Sequence, residues 1–143
     1  MASIMLYLDK TATGQFCWVD LAPTDAARAT AFYRQVFGWT PREQAANGGT
    51  FTRLQLSERD VGSIYQLRRK RIDDGMPSHW TPYVRVDDAD DAARRTVACG
   101  GEVIVRPFAV AGMARIALIM DSVGAIVGLW EPIAAGAGEV AHG

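Results

Sequence analysis

Cysteine and histidine are scarce in this sequence, and long apolar runs and an excess of either charge are missing. Only Cys17 and Cys99 occur, far apart and in no Cys-x-x-Cys pair, which argues against a disulfide framework or a metal knuckle and leaves two buried thiols as the expectation. His79 and His142 are the only imidazoles, too few for a site of two histidines and a carboxylate when one of them sits in a Gly-rich tail. A formal net charge of -1 and a pI near 6.1 give no basic field for displacing counterions from phosphates, so no nucleic acid partner is expected. The apolar stretch Ile4-Met5-Leu6-Tyr7-Leu8 is stopped by Asp9-Lys10, is too short to cross a bilayer and follows no basic leader. Neither a signal peptide nor a membrane partner is supported, and the cytoplasm is the expected location.

What is present suits a globular core: 143 residues, 49% hydrophobic and 22% charged, with four Trp. That length fits one domain, or two half-domains sharing a core, and leaves no room for a separate catalytic domain.

Two segments carry helical periodicity, each after a strand-like run and before a Gly stop. Phe16 to Leu21 alternates, Thr24 or Asp25 can cap, and Ala29, Phe32, Tyr33, Val36 and Phe37 make one apolar stripe ending at Gly38. Trp80 to Val86, the Asp87-Asp88 cap region, the stripe Ala89, Ala92, Ala93, Thr96, Val97 and the Gly100-Gly101 stop repeat that order. Setting Asp25 on Asp88 also sets Gly38 on Gly101, both at a separation of 63.

Three strand-like runs follow each helix: Arg42 to Ala45, Thr50 to Leu56 and Val61 to Leu67, then Glu102 to Arg106, Met113 to Met120 and Ala125 to Glu131. Turns are expected at Arg59-Asp60 and at Asp121 to Gly124. The prediction is α+β: one structural domain of tandem βαβββ modules, with residues 13–67 as the first module, 68–78 as a solvated charged linker, 79–132 as the second module and 133–143 as a flexible tail.

Asp20-Leu21-Ala22-Pro23-Thr24-Asp25, Ala31-Phe32-Tyr33, Phe37-Gly38-Trp39, Val86-Asp87-Asp88, Gly100-Gly101 and Gly128-Leu129-Trp130-Glu131-Pro132 together resemble the vicinal oxygen chelate superfamily of glyoxalases, bleomycin-resistance proteins and dioxygenases. The resemblance covers about Phe16 to Pro132. It implies a curved mixed sheet with a cup-like cavity, the glyoxalase/bleomycin resistance fold, commonly completed by a second copy as a homodimer with sites at or near the subunit interface.

Enzymes of that superfamily hold a divalent metal on His and Glu side chains of the first and last strands of each module. Here those positions fall on Trp18, Thr81, Gly128 and, less securely aligned, Ser63. None is a good ligand, because Trp and Gly offer no side-chain lone pair and an uncharged hydroxyl is a poor substitute for imidazole or carboxylate. No metal and no cofactor are therefore expected, which points to the metal-free, bleomycin-resistance-like branch.

Strand parity places Phe16 and Asp20 with Trp18, Tyr83 and Arg85 with Thr81, Trp130 with Gly128, and Tyr65 with Ser63, while Phe51 joins from a less certain position. These residues, Phe16, Trp18, Asp20, Phe51, Ser63, Tyr65, Thr81, Tyr83, Arg85 and Trp130, are the candidate ligand-binding set for a hydrophobic or aromatic small molecule. The competing reading packs the aromatics as core. Burying roughly 300 Å² of apolar ligand surface contributes about 7 kcal/mol, and after association costs micromolar affinity remains within reach. Two functions stay open beside a third reading, a scaffold or subunit whose cup is vestigial. One is sequestration of an antibiotic-like molecule in the self-resistance manner. The other is metal-free tailoring of a polyketide-like substrate by an isomerase, cyclase or hydrolase, with Asp20 or His79 as general base. Asp20 can instead be a strand-end acid bonded to the following turn, and His79 a structural or solvated imidazole.

Overall fold

Alternating side chains make strand β1 (Phe16–Ala22), with Cys17 and Leu21 buried on one face. The structure, a computed structural model, describes residues 12–46, 49–110 and 112–133, without the side chains of residues 45, 46, 49 and 50. The expectations placed on Met1 to Lys10 and on the tail from Ala134, His142 included, lie outside those residues.

Helix α1 (Ala26–Phe37) starts at Asp25, whose carboxylate accepts a hydrogen bond from the Arg28 N–H at 3.0 Å. It stops at Gly38, which takes the left-handed conformation at φ 76° and donates its N–H to the Arg34 carbonyl. Strands β2 (Thr40–Ala46), β3 (Gly49–Leu56) and β4 (Arg59–Tyr65) follow as an antiparallel meander. The last strand returns beside the first, β1 and β4 running parallel with Asp20 opposite Ser63. The order in this half-sheet is β2-β3-β4-β1.

The second module repeats the plan. A short helix α2 (Arg69–Asp73) lies in the connection, then come β5 (His79–Arg85), α3 (Ala89–Ala98), β6 (Glu102–Val110), β7 (Ala114–Met120) and β8 (Ile126–Pro132). Strands β6, β7 and β8 form the antiparallel meander, β5 and β8 pair in parallel with Tyr83 opposite Gly128, and the order is β5-β8-β7-β6. Asp88 caps α3 as Asp25 caps α1, accepting from the Asp91 N–H at 3.1 Å. The α+β class with tandem βαβββ modules is thus the one observed. By contact density the chain divides into two compact units, Trp18–Thr81 and a second that joins Pro82 onward to the residues before Trp18, so the divisions fall inside β1 and inside β5.

Each unit has its own core. Leu21, Leu54 and Ile64 are buried together in one, with Ala26, Ala29, Tyr33, Trp39 and Val61 packed against them. Val86, Ala89, Ala92, Ala117 and Leu129 form the other. Among the described residues no helix is long and apolar enough to cross a membrane.

Several local expectations are corrected. The α1 stripe is not buried as a whole: Phe32 is 56% exposed and Val36 and Phe37 are exposed as well. The helix meets the sheet through Ala26, Ala29 and Tyr33, a narrower face than the apolar pattern suggested, while Phe37 stacks on Tyr33. In α3 the small residues Ala89, Ala92 and Ala93 are buried and Val97 is exposed. Cys17 is buried but Cys99, at the end of α3, is exposed. The β3–β4 hairpin turns at Ser57-Glu58 rather than at Arg59-Asp60, both residues having positive φ (53° and 66°), so β4 begins two residues early. Strand β6 continues past Arg106 to Val110, and shifts in its register with β7 on either side of Val105 accommodate Pro107, which has no N–H to give the ladder.

Candidate functional site

In the first module the parallel pairing of β1 and β4 sets three polar groups in line. The Trp18 indole Nε1–H donates to the Ser63 Oγ at 2.8 Å, and the Ser63 hydroxyl donates to Asp20 Oδ1 at 2.6 Å. Gly62 permits this closeness, since a Cβ there would sit 2.9 Å from the Val19 carbonyl oxygen. Ser63 is 1% exposed, so its hydroxyl has to be satisfied within the protein. Burial pushes the Asp20 carboxyl up from 3.8 to about 7, and the Ser63 hydrogen bond works the other way without cancelling it. Asp20 is therefore bonded to Ser63 across the sheet, not to its following turn. The residue as a whole is half-buried.

Other candidates lie on the neighbouring strands. Phe51 is buried on β3 opposite Tyr65 of β4. Thr81 is buried on β5. The His79 ring is engaged locally, its Nδ1 lying 2.8 Å from the Pro77 carbonyl oxygen, and it shares no hydrogen bond with Asp20.

In the second module the equivalent strand pair, β5 and β8, is built from different chemistry. A Cβ placed on Gly128 would fall inside the Tyr83 ring, so the ring itself occupies the space a side chain at 128 would need. Tyr83 is 4% exposed and meets Trp130 edge to face, ring centroids 6.0 Å apart. Arg85 lies opposite Trp130 in the same ladder, and its Nε is buried with no hydrogen-bond partner among the described residues. The Arg85 backbone is held on both sides, its N–H donating to the Gln15 carbonyl at 2.9 Å and its carbonyl accepting from Gly14 at 2.8 Å. Phe16 is half exposed at the start of β1.

Residues 15–142 match the family described as the Glyoxalase/Bleomycin resistance protein/Dioxygenase superfamily. The chain belongs to this superfamily. It is similar to CFP32 of Mycobacterium tuberculosis, provisionally named a glyoxylase, with 34% identity over 116 residues that make up 80% of this chain and 44% of that protein. It is also similar to the anthracycline biosynthesis protein DnrV of Streptomyces peucetius, with 33% identity over 138 residues, 87% of this chain and 49% of DnrV. The chain thus spans about half the length of these curated relatives or slightly less. Its fold is shared with methylmalonyl-CoA epimerase of Mycobacterium tuberculosis, at a TM-score of 0.64 and 20% identity with both chains fully covered.

The residues at the superfamily's metal positions do not fit a metal. Trp18 spends its one polar hydrogen on Ser63, and the position of Gly128 is overlaid by the Tyr83 ring. Among the described residues no group of three or more His, Cys, Asp or Glu side chains could hold one.

Sequence reasoning placed Trp18, Ser63 and Asp20 on one face but missed that they bond in series. It also missed that Tyr83 lies over Gly128. The signal for the second was available, since a glycine in mid-strand often marks a close approach by another group.

Proposed function

We propose that this chain binds an aromatic, polyketide-type small molecule and moves a proton on it, with Asp20 as the proton-transfer group. The observation that carries the proposal is the Asp20 carboxyl, held near neutrality by burial and oriented by the Ser63 hydroxyl. A base whose pKa lies near the working pH best combines the correct protonation state with driving force for transfer. In the step proposed, ionised Asp20 takes a proton from a carbon next to a ligand carbonyl. This leaves the carboxylic acid and an enolate; the acid proton exchanges with solvent, and a proton is then delivered from Asp20 at carbon or at oxygen, which regenerates the carboxylate. Atoms and charge balance with no redox partner, as an isomerisation or cyclisation requires. Similarity to a protein named for anthracycline biosynthesis supports the ligand class. The homodimer with sites at or near its interface belongs to this proposal and rests on superfamily membership.

The test is incubation with a panel of aromatic polyketide ketones in D2O. The expected result is deuterium incorporation next to a carbonyl, at a rate that rises with pH through about 7, and its loss in Asp20→Asn. A second reading, sequestration, draws on the indole and phenol rings that stand where the superfamily's metal ligands would be, at Trp18 and over Gly128. Ligand bound tightly, chemically unchanged and without exchange supports that reading and removes Asp20 from chemistry.

A further inference from the structure

Helix α1 is the anomaly of the first module. Among the described residues α3 buries Ala89, Ala92 and Ala93, whereas α1 buries none of its twelve. Phe32, Val36 and Phe37 are each more than half exposed, and Trp80 is 38% exposed. These side chains belong to one apolar surface that also includes Tyr33 and Trp39, all of it within the unit Trp18–Thr81. Tyr33 is its hub. Its ring meets Phe32 edge to face at 5.1 Å, stacks on Phe37 at 6.0 Å and on Trp39 at 5.4 Å, and meets Trp80 edge to face at 5.5 Å. The Trp80 indole N–H donates to the Tyr33 hydroxyl at 3.1 Å, so the cluster is fixed rather than slack.

The size of this surface says what covers it. An aromatic side chain carries about 200 Å² of surface, so Phe32, Phe37 and Trp80, half exposed or nearly so, hold out together with Val36 about 400 Å². A soluble monomer rarely leaves so much apolar surface in one patch unless something binds there. A standard interface takes about 800 Å² from each partner, with an apolar centre inside a polar rim, so the patch is the size of such a centre.

Two further observations select the partner. The chain spans 44% of CFP32 and 49% of DnrV, so each relative has a further stretch at least as long as the matched one, and a second copy of this chain supplies a body of that size. The charges on α1 also suit a copy of itself. Arg28 lies in the first turn, where no acidic residue balances it against the positive end of the helix dipole. Two α1 helices packed antiparallel bring each Arg28 beside the negative, C-terminal end of the other. Arg34 lies two residues past Phe32, about half a turn round the helix, and stays off the face that Phe32 and Val36 share.

We infer that the α1 face carrying Phe32 and Val36, with the aromatic rings around Tyr33, is the surface on which a second copy of this chain docks, helix against antiparallel helix about a two-fold axis. This rests on the homodimer of the proposed function and adds the face that forms it.

The test is sedimentation velocity over a concentration series on the wild type, Phe32→Glu/Val36→Glu and Val97→Glu. Val97 is a control, equally exposed but on α3. The expected result is a wild-type dimer at micromolar concentration, a dissociation constant weakened about a hundredfold or more by the Glu pair, and no change in Val97→Glu. Far-UV circular dichroism should be the same for all three, because the replaced side chains are exposed. Hydrogen exchange of the wild type below and above its dissociation constant needs no variant, and should show protection on association in α1 and none in α3. A dimer that survives the Glu pair, or association that protects α3 and not α1, overturns the inference and leaves the homodimer standing. A wild type that stays monomeric overturns both.

Discussion

The Ser63 hydroxyl turns its proton toward Asp20 because its own oxygen already accepts from the Trp18 indole. One side chain thus orients the next, and the order cannot be reversed, since an indole nitrogen only donates. Ser63→Ala breaks both links. The Asp20 pKa is expected to rise above about 7 as the bond that lowers it disappears, and a carboxyl carbon NMR titration reads this directly. The Trp18 N–H loses its partner at the same time, at a stability cost of about 1 to 3 kcal/mol in denaturant unfolding.

Stability should fall as pH rises. Asp20 holds its proton to about 7 in the folded state, against 3.8 when solvated. Between roughly 4 and 7 the folded state therefore carries a proton that the unfolded chain has released. The contribution is fully present below about 4 and is lost as pH passes through 7, a change on the order of a few kcal/mol. Thermal melts from pH 4 to 8 check this. Asp20→Asn, which still accepts from Ser63, should flatten the profile and melt above the wild type at pH 8.

Gly128→Ala should be destabilising although both residues are small. The added methyl meets the Tyr83 ring, which is itself buried and cannot swing into solvent. A cost of about 1 to 3 kcal/mol is expected from overpacking. If the ring is the cause, combining Gly128→Ala with Tyr83→Ala gives a loss clearly smaller than the sum of the two single losses, measured by denaturant melts.

The two helix caps should contribute similarly and independently. Asp25→Ala and Asp88→Ala each remove a carboxylate that accepts from the N–H three residues on, at about 1 kcal/mol apiece. The double variant should show the sum, because the two helices rest on separate cores.

The β3 to β4 turn leaves room for improvement. Ser57 and Glu58 both hold positive φ without being glycine. Ser57→Asn with Glu58→Gly supplies residues that favour this turn, and a gain of about 1 kcal/mol in unfolding free energy is expected.

How far the sequence could be read depended on how local each signal was. The caps at Asp25 and Asp88 and the strand runs are set by neighbours in the chain, and the 63-residue offset carried them from one module to the other; the glycine stop falls one residue off it, since the left-handed glycine after α3 is Gly100 and not Gly101. Asp20 and Tyr83, 63 apart, do occupy equivalent places, opposite Ser63 and Gly128 respectively. What escaped depends on contacts distant in the chain. Periodicity showed that α1 has a wide apolar face but not which part of it meets the sheet, so Phe32 and Phe37 were assigned to the interior. Parity grouped Trp18, Asp20 and Ser63, yet a hydrogen bond across 43 residues, and the burial that lifts a carboxyl to about 7, follow from packing that no spacing rule encodes. That the Arg85 Nε meets no partner among the described residues is of the same kind, visible only once every neighbour is in place.

Tyr83 and Gly128 also act as a key for the register of β8. This strand is paired on both sides, with β5 and with β7, and could slide along either. A slip of two residues would bring Ile126 or Trp130 beneath the Tyr83 ring, where not even a methyl fits. A slip of one would turn Leu129 out of the core that holds Val86 and Ala117. Only the alignment that passes the one residue without a side chain under the ring lets the strand close, so the second half-sheet has a single way to assemble.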